Sequence, residues 1–325
     1  IVDAIYGTGF HGKMWEKVGR VIDVLNNSGK PIVAVDIPSG LEAATGRVNG
    51  PCIRAHHTVT FGLPKVGLFL EPGADHAGEI TVADISLPGA LVEKEAPHRY
   101  LITAECVKKW LPARPSPAHK GNFGRVLVIA GSRGMTGAAV LAGEAAIRSG
   151  AGLVTVAVPE TLHDIMEAKL TEVMTVPLPD TGSGSLSWEA RHRIMPLLEN
   201  MDVLAIGPGL SQAPEVIKLV RELAPAIKIP LVLDADALNA LAGEVGILGK
   251  LQAPAVITPH PGEMARLMGL APKGIQEDRI GNAVKAATAW NVVTLLKGSR
   301  TVVAAPDGTV YINATGNPGM ATGGS

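Results

Sequence analysis

Arg125-Val-Leu-Val-Ile-Ala-Gly-Ser-Arg-Gly-Met-Thr-Gly-Ala-Ala139 is the stretch that decides the fold of this chain. It begins with an aliphatic run, passes through a glycine-rich turn, and enters residues 137–148, where apolar residues recur at helical spacing. A short apolar strand followed by a helix is the repeating unit of parallel sheets that helices cover on both faces. The stretch therefore predicts a βα unit inside an α/β domain.

The same alternation continues towards the C-terminus. We predict further strands at residues 152–157, 203–206, 230–233, 255–257 and 292–296. A late hairpin is predicted around Pro306-Asp-Gly308, with strands starting at Thr301 and Thr309. Residues 101–325 thus read as one α/β domain with a central, mostly parallel sheet.

The N-terminal portion repeats the pattern on a smaller scale. We predict strands at residues 2–6, 31–36, 58–61 and 79–83, and a helix at residues 14–26. This portion is too short for a whole doubly wound domain, so residues 1–92 are predicted to be the C-terminal half of a Rossmann-like domain. Residues 93–100 are polar and contain proline, which predicts a linker.

Composition narrows the function classes. The chain has 325 residues, 46% of them hydrophobic, and a formal net charge of −1. It therefore lacks the basic field that attracts nucleic acid or an anionic membrane. No apolar run is long enough to span a bilayer. Cys52 and Cys106 lie in different segments, which argues against a disulfide framework and favours a reducing, cytoplasmic location.

Both ends of the sequence are abrupt. Ile1 is not a start methionine, and the chain ends on Thr315-Gly-Asn-Pro-Gly-Met-Ala-Thr-Gly-Gly-Ser325. Glycines at this density, Gly323 and Gly324 among them, let backbone N–H groups face a phosphate or an oxyanion. Such a loop normally opens a helix. We therefore expect an internal fragment, truncated within its second domain.

Two carboxylates of the N-terminal portion follow predicted strands. Asp3 leads into Tyr6-Gly-Thr-Gly-Phe-His-Gly12, and a second strand ends at Asp36-Ile-Pro-Ser-Gly40. Open α/β sheets bind ligands at the carboxyl ends of their strands. Each motif alone is better explained by helix capping and turn formation. Together, at matched strand ends, they favour a ligand site.

Three glycine-containing turns follow strands of the second domain. Ala130-Gly-Ser-Arg-Gly-Met-Thr-Gly-Ala-Ala139 connects a strand to a helix, which suits backbone capture of a phosphate-bearing ligand, although a plain βα turn has the same form. Ile206-Gly-Pro-Gly-Leu210 implies close approach to the backbone. Lys297-Gly-Ser-Arg-Thr301 places a lysine and a hydroxyl beside a glycine, as a nucleotide phosphate or an ordinary basic turn would require.

Two further motifs carry ionisable groups. Asp234-Ala-Asp-Ala-Leu-Asn239 puts two carboxylates after a strand, where helix capping and a salt bridge would explain them equally well. Ile257-Thr-Pro-His-Pro-Gly-Glu263 fixes His260 between prolines. A single histidine is usually structural, but a rigid one at the carboxyl end of a strand favours ligand contact.

The two motifs of the N-terminal portion resemble those of the NAD(P)H-hydrate epimerases. Val2-Asp-Ala-Ile-Tyr-Gly-Thr-Gly9 and Val35-Asp-Ile-Pro-Ser-Gly40 carry the resemblance. It implies that Asp3 and Ser39 bind K⁺ and that Asp36 acts as acid or base near the epimerised carbon. It also implies a loop around the substrate, formed by Gly7, Thr8, Gly9, Phe10, His11, Gly12 and Lys13. An Asn-Asn-Gly-Gly-Asp loop of that family would precede Ile1, so this half-domain is not expected to epimerise alone.

The second domain is similar to the ADP/ATP-dependent NAD(P)H-hydrate dehydratases, which have a ribokinase-like fold. His119-Lys-Gly-Asn-Phe-Gly-Arg125 and the five motifs described above occur in the order and spacing of that family, over nearly all of residues 101–325. In many bacteria an epimerase and a dehydratase are fused in this order. The two resemblances therefore support each other and imply a bifunctional repair enzyme for hydrated NAD(P)H.

The dehydratase resemblance implies residue roles. Ala138, Gly209 and His260 would contact the hydrated dinucleotide, and Asn317 and Gly319 would lie near an anion hole. The nucleotide phosphates would be bound by Lys297, Gly298, Ser299, Arg300 and Thr301. ADP or ATP would serve as co-substrate with Mg²⁺, with ADP favoured. The general base, an aspartate, would follow Ser325, so the fragment is expected to turn over poorly. Relatives of this fold often assemble, which implies a homo-oligomer.

Two other function classes remain open from the sequence. The terminal glycine loop also suits a small-molecule kinase of the hydroxymethylpyrimidine or hydroxyethylthiazole type, although such kinases lack the attached epimerase half. The epimerase fold also serves non-catalytic binding to protein partners. The sequence does not choose between ADP and ATP or between NADH hydrate and NADPH hydrate.

Overall fold

The computed structural model describes residues 1–95 and 97–323. Gly324 and Ser325, the end of the terminal glycine loop, therefore lie outside the described residues. The chain forms two compact units, residues 1–102 with 312–316 and residues 103–311 with 317–325. Throughout the described ranges, no helix combines the length and the apolar character needed to cross a membrane.

The first unit is built on four parallel strands. These are β1 (Val2–Asp3), β2 (Val33–Val35), β3 (His57–Phe61) and β4 (Glu79–Ala83), in the order β1-β2-β3-β4. The helices are α1 (Glu16–Asn26), α2 (Gly73–Ala77) and α3 (Gly89–Glu95), followed by a short strand β5 (Arg99–Leu101). Within this unit the Ile102 N–H donates to the Ile312 carbonyl oxygen at 2.9 Å. Both α3 and β5 overlap residues 93–100, so the predicted linker contains regular structure.

The strand predicted at residues 2–6 is shorter than expected. The Ile5 N–H donates to Asp3 Oδ1 at 3.4 Å, and the Tyr6 N–H donates to Ser39 Oγ at 2.8 Å. Because side chains accept from these amides, the chain leaves the ladder after Asp3. Strand β2 ends at Val35 for a different reason: Asp36 takes a positive φ of 67°, which is not an extended conformation.

The second unit contains the larger sheet. Its strands are β6 (Arg125–Ile129), β7 (Leu153–Pro159), β8 (Met174–Leu178), β9 (Val203–Ile206), β10 (Leu231–Leu233), β11 (Ala255–Ile257), β12 (Val293–Leu296) and β13 (Thr301–Ala304). They run in the order β13-β12-β11-β10-β9-β6-β7-β8, and only the β12–β13 pair is antiparallel. A last strand, β14 (Val310–Asn313), crosses the division between the units. The α/β class with a mostly parallel sheet is confirmed.

Helices cover both faces of this sheet. They are α4 (Ala104–Trp110), α5 (Thr136–Arg148), α6 (His163–Lys169), α7 (Arg191–Leu198), α8 (Pro214–Leu223), α9 (Asp236–Leu241), α10 (Pro261–Met268), α11 (Pro272–Glu277) and α12 (Arg279–Trp290). On β6, Leu127 belongs to one buried cluster and its neighbour Val128 to another. Successive side chains of a strand point to opposite faces, so both faces of the sheet are buried. Each fully buried aliphatic side chain contributes roughly 1.5–3 kcal/mol.

Strand β8 is absent from the sequence-based prediction. Its segment contains Pro177, which cannot donate a ladder hydrogen bond. The strand tolerates this proline because β8 lies at the edge of the sheet and pairs only with β7.

Candidate functional site

The first candidate site lies at the carboxyl end of β1. Asp3 is 1% exposed, and Ser39 lies beside it. The Ser39 hydroxyl donates to Asp3 Oδ1 at 2.7 Å, and the Ser39 N–H donates to Asp3 Oδ2 at 2.8 Å. The structure thus brings together the two residues predicted to bind K⁺.

The charge of Asp3 is not balanced by a cationic side chain. Within the described ranges its hydrogen-bond donors are the hydroxyl and N–H of Ser39 and the N–H of Ile5, all uncharged. Burial, together with the negative charge of Asp3, raises the pKa of the nearby Cys52 thiol to about 12. A buried carboxylate and a hydroxyl are oxygen donors in a negative environment, so this pair fits a hard monovalent cation.

Asp36, the predicted acid or base, is held at the end of β2 by three donors. Lys65 Nζ approaches its Oδ1 at 2.7 Å, the Phe61 N–H donates at 3.0 Å, and the Thr60 hydroxyl donates at 3.1 Å. Burial raises the pKa of Asp36, but these hydrogen bonds and the Lys65 charge outweigh it and lower the pKa below its ordinary value. Asp36 is therefore a carboxylate at neutral pH, as a base must be.

Lys65 was missed by the sequence analysis. It lies in the turn Gly62-Leu-Pro-Lys65 that follows β3, and its side chain is 20% exposed, as is that of Asp36. Nothing local links it to Asp36, because the pair forms only when β2 and β3 lie side by side. A lysine just after a predicted strand was the available signal.

The predicted substrate loop, residues 7–13, is an open surface turn. The Phe10 N–H donates to the Gly7 carbonyl oxygen at 3.1 Å, and the Gly12 N–H donates to Glu42 Oε1 at 3.2 Å. His11 Nδ1 lies 2.9 Å from the Gly9 carbonyl oxygen. A Cβ at Gly7, Gly9 or Gly12 would meet nothing within 4 Å. Thr8 and Lys13 are exposed, so the loop has room for a ligand along its length.

In the second unit, the turns after β6 and β9 pack against each other. The Gly131 N–H donates to the Pro208 carbonyl oxygen at 2.8 Å, and the buried Ser132 hydroxyl donates to the Gly209 carbonyl oxygen at 2.8 Å. A Cβ on Gly209 would lie 3.0 Å from the Cβ of Ala138. Two residues predicted to contact the hydrated dinucleotide are therefore neighbours.

The end of β10 joins these turns. A Cβ on Gly207, whose φ is 136°, would collide with the carbonyl oxygen of Asp234. Glycine is thus required at this position for two reasons, the backbone conformation and the close approach. The turns after β6, β9 and β10 consequently form one continuous surface at the carboxyl ends of three neighbouring strands.

Lys297, which follows β12, is fixed by acceptors that follow two neighbouring strands, β10 and β11. Its Nζ lies 2.7 Å from Asp234 Oδ1, which also accepts from the Thr258 hydroxyl at 2.7 Å. Its N–H donates to the Pro259 carbonyl oxygen at 2.9 Å, and its Nζ lies 3.9 Å from Glu263 Oε2. The Lys297 side chain remains 36% exposed, so the ammonium can still meet a ligand.

His260 begins α10 and caps it. Its Nδ1 accepts from the N–H of Gly262 at 2.9 Å and that of Glu263 at 3.3 Å, while Glu263 Oε2 accepts from the His260 N–H at 2.8 Å. This is a reciprocal capping arrangement. His260 thus has a structural role as the cap of α10. Its Nε2 also lies 3.3 Å from Glu263 Oε1, and half of its side chain is exposed. Both ring nitrogens therefore contact α10, and it is the exposed part of the ring that a ligand could meet.

The two carboxylates of the Asp234 motif have different tasks. Asp234 holds Lys297, as described above. Asp236 accepts from the Ser211 N–H at 2.9 Å and from Gln212 Nε2 at 2.9 Å. Asp236 therefore fixes the turn after β9, and Asp234 is the one that belongs to the candidate site.

The remaining predicted nucleotide ligands lie in two loops. In residues 297–301 the Thr301 hydroxyl donates to the Gly298 carbonyl oxygen at 3.0 Å, Arg300 has a φ of 55°, and Ser299 is exposed. In the terminal loop the Gly319 N–H donates to Asn317 Oδ1 at 2.9 Å. His260 and Lys297 are brought together by the structure, whereas placement of Asn317 and Gly319 at the same ligand stays a prediction.

An open cleft of about 550 Å³ lies elsewhere in the second unit. It is lined by Pro214, Ile217, Lys218, Arg221, Glu222, Glu244 and Ile247. None of these residues follows a sheet strand, and Arg221 and Glu222 are already paired with Glu244 and Arg191. We therefore assign the candidate site to the carboxyl ends of the strands, where the polar groups converge, and not to this cleft.

Comparison with known proteins gives two family matches. Residues 126–325 match the family described as NAD(P)H-hydrate dehydratase, and residues 1–67 match the YjeF-related protein N-terminus. The bifunctional NAD(P)H-hydrate repair enzyme Nnr of Moorella thermoacetica is 54% identical over 325 residues, and that of Escherichia coli is 40% identical over 327 residues. Both alignments include the whole chain, which spans 61% and 60% of those curated relatives.

Solved structures agree on the fold of the second unit. An ADP/ATP-dependent NAD(P)H-hydrate dehydratase from Bacillus subtilis, co-crystallised with ATP and Mg²⁺, superposes with a TM-score of 0.57 at 33% identity, covering 69% of this chain and 76% of that one. A ribokinase-like superfamily protein from Enterococcus faecalis gives a TM-score of 0.59 at 29% identity, covering 70% and 75%. The predicted ribokinase-like fold is confirmed.

Proposed function

The chain belongs to the NAD(P)H-hydrate dehydratase family, and from this membership we propose that its second unit restores NAD(P)H from the hydrated form, using ADP or ATP as phosphoryl donor. The observation that carries the proposal is the placement of Lys297 beside His260. Asp234 and the Pro259 carbonyl hold the lysine at the strand ends, and the Thr258 hydroxyl donates to the same oxygen of Asp234. A fixed cation next to a half-exposed histidine suits a phosphorylated ligand that meets a dinucleotide.

The proposed chemistry is phosphoryl transfer followed by elimination. The terminal phosphoryl group moves to the hydroxyl oxygen of the hydrated ring, and the hydroxyl proton passes to a base. Phosphate then leaves with the carbon–oxygen electron pair as a proton is lost from the neighbouring ring carbon, which restores the ring double bond. ADP would give AMP and phosphate. The protein must mainly position two substrates and neutralise charge on the phosphates.

Residue roles follow from these positions. Ala138 and Gly209, which are neighbours on the surface of the turns, would approach the hydrated dinucleotide through small side chains and backbone. The exposed part of the His260 ring would orient it, and residues 297–301 would bind the nucleotide phosphates. Asn317 and Gly319 are proposed to complete the anion site.

Mg²⁺ is expected to accompany the nucleotide, because it is commonly held by substrate phosphates and water with few protein carboxylates. In the part of the chain that the structure describes, no cluster of three or more His, Cys, Asp or Glu residues forms a dedicated metal site. When bound, Mg²⁺ would offset the negative charge of the phosphates.

For the first unit we propose a contribution to epimerisation of the hydrate. Asp3 and Ser39 would hold K⁺, which would balance the buried carboxylate and stabilise the strand end that carries the loop of residues 7–13. Asp36 would exchange the proton at the epimerised centre, with Lys65 keeping it ionised. The match of residues 1–67 supports this assignment and favours it over a stand-alone small-molecule kinase.

We place the protein in the cytoplasm, with hydrated NAD(P)H and ADP or ATP as partners and a homo-oligomer as its assembly. Both cysteines are free thiols, which suits a reducing compartment. The formal net charge of −1 gives no support to a nucleic-acid or membrane-surface role.

The test uses full-length protein that contains this sequence. Near-ultraviolet absorbance of reduced nicotinamide is followed from the hydrate with ADP, with ATP and without nucleotide. Recovery should require a nucleotide, and Lys297→Met should slow it about a hundredfold. Lys218→Met is the matched control, because Lys218 Nζ lies over the Trp188 ring at 3.7 Å, away from the strand ends. Recovery at the same rate without nucleotide would rule out the mechanism.

A further inference from the structure

A buried arginine lies against the loop that follows β12. Arg279, the first residue of α12, is 8% exposed. Its Nη2 donates to the carbonyl oxygens of Leu296 at 3.0 Å and Lys297 at 3.2 Å, and its Nη1 donates to Gln276 Oε1 at 2.7 Å. All of these partners are uncharged, so among the described residues the guanidinium has no carboxylate to balance it.

The loop itself is shaped around this guanidinium. Gly298 has a φ of 138°, and a Cβ at this position would lie 3.0 Å from Arg279 Nη1. A trans peptide points its carbonyl and its following N–H in opposite directions. Holding the Lys297 carbonyl on Arg279 therefore turns the Gly298 N–H to the other side of the loop. Outward-facing N–H groups of glycine turns bind phosphate oxygens.

We propose that Arg279 is a positioning residue for the nucleotide-phosphate loop, residues 297–301. It fixes two successive carbonyls, directs the Gly298 N–H towards the phosphate side, and adds the field of an uncompensated cation. The inference rests on the proposed function, since the nucleotide is the ligand of this loop.

The guanidinium remains charged in this environment. Burial lowers the pKa of Arg279, but arginine starts from so high a value that it stays protonated at neutral pH. An unbalanced cation is costly to bury, and a polyanionic ligand on the opposite side of the loop offsets that cost. A purely structural arginine would be expected to pair with a carboxylate.

Arg221 provides a matched control in the same unit. Its Nε donates to the Ala240 carbonyl oxygen at 2.7 Å and its Nη2 to that of Ala242 at 3.2 Å, so it also fixes two backbone carbonyls. It differs in being paired with Glu244 and in lying outside the candidate site. Arg221→Met should therefore lower Tm without changing the KM for the nucleotide.

The experiment compares Arg279→Met, Arg279→Lys and Arg221→Met in full-length protein, with Tm, kcat and separate KM values for nucleotide and hydrate. Loss of hydrogen bonds to a charged donor predicts a nucleotide KM about tenfold higher in Arg279→Met, with the hydrate KM and kcat within about twofold. Arg279→Lys retains the charge but not the forked geometry, so it should recover part of the loss.

The outcomes separate the two proposals. If unaltered protein needs no nucleotide, the proposed function fails, and the role of Arg279 fails with it. If unaltered protein needs nucleotide and Arg279→Met changes Tm but not the nucleotide KM, only the role of Arg279 is contradicted. Should Arg279→Met fail to fold, Gln276→Leu, which removes the Nη1 acceptor, should raise the nucleotide KM about threefold. An unchanged KM there would also overturn the inference.

Discussion

Glycine-rich turns of the two units look alike in sequence and differ in what surrounds them. In the first unit a Cβ on Gly9 would meet nothing within 4 Å, whereas in the second a Cβ on Gly207 would collide with the Asp234 carbonyl oxygen. Glycine leaves space for a ligand in one case and lets two backbone segments touch in the other. A glycine motif alone therefore does not locate a binding surface.

The two units also differ in the sign of the charge that each one buries. The first unit buries Asp3, an anion whose partners are uncharged, and the second buries Arg279, a cation whose partners are uncharged. An unbalanced buried charge attracts a ligand of opposite sign. The contrast teaches that the carboxyl ends of parallel strands can present a buried anion in one unit and a buried cation in the other, which is why we propose K⁺ as the ligand of the first and phosphates as the ligand of the second.

The strongest test of the glycine contrast is a pair of alanine substitutions. Gly207→Ala should destabilise the second unit by more than about 3 kcal/mol, because the new Cβ meets backbone at a positive φ. Gly9→Ala should change the free energy of unfolding by less than about 0.5 kcal/mol while slowing epimerisation. Urea unfolding and an epimerisation assay, both on full-length protein that contains this sequence, measure the two effects. If Gly207→Ala and Gly9→Ala lowered the free energy of unfolding equally, the proposed difference between the two kinds of glycine turn would be contradicted.

The next largest effect is expected for the buried anion. Asp3→Asn should cost about 2 kcal/mol, since its amide cannot accept from both donors of Ser39. Unaltered full-length protein should show a higher Tm in KCl than in choline chloride, and the variant should lose that difference. Asp23→Asn, on the exposed side of α1, is the control. If the Tm difference between KCl and choline chloride persisted in Asp3→Asn, the proposal that K⁺ binds at Asp3 would be contradicted.

A smaller effect should follow from breaking the Asp36–Lys65 pair. Lys65→Met should cost about 1 kcal/mol at pH 7 and raise the pKa of Asp36, since burial then acts with less opposition. The folded pKa of Asp36 is depressed, so the stability it contributes is present above its ordinary pKa and is lost as pH falls below about 4.

The variant should accordingly lose less stability than unaltered protein over that acid range. Urea unfolding at pH 7 and at successively lower pH gives both quantities. The same acid sensitivity in both proteins would show that Lys65 does not set the ionisation of Asp36.

The smallest effect is expected for the reactivity of the two cysteine thiols. Hydrogen bonds from Thr103 lower the pKa of the Cys106 thiol, whereas burial and the Asp3 charge raise that of Cys52 to about 12. Iodoacetamide at pH 8 should therefore label Cys106 in the folded protein and leave Cys52 intact, as peptide mass spectrometry would reveal. Asp3→Asn should increase labelling of Cys52 at alkaline pH. If Asp3→Asn left the labelling of Cys52 unchanged, the charge of Asp3 would not be a cause of the raised Cys52 pKa.

Much of the fold is predictable from apolar runs. The strands at residues 203–206 and 255–257 have the predicted limits, because strands buried on both faces carry their signal in consecutive apolar residues. The strand at residues 79–83 also has the predicted limits, although most of its residues are exposed. The strand at residues 2–6 is too long in the prediction because side chains, not a neighbouring strand, accept from Ile5 and Tyr6. No local pattern reports such competition.

In both candidate sites, the sequence predicts the residues proposed to meet a ligand but not the residues that hold them in place. The motifs identify Asp3, His260 and Lys297, which lie at strand ends as expected. They do not identify Lys65 or Arg279, because each is joined to its partner only when separate strands and helices pack. Arg279 lies 17 residues before Leu296, and its neighbours in the sequence give no sign of a phosphate loop.

Pro177 has a consequence for assembly. It lies in β8, the outermost strand of the larger sheet, where a missing amide hydrogen interrupts the row of donors that another strand would need. Copies of the chain that joined sheets along this border would have one backbone hydrogen bond fewer at Pro177. This border is thus less suited to pairing with a strand of another chain than an edge with an unbroken row of amide donors would be.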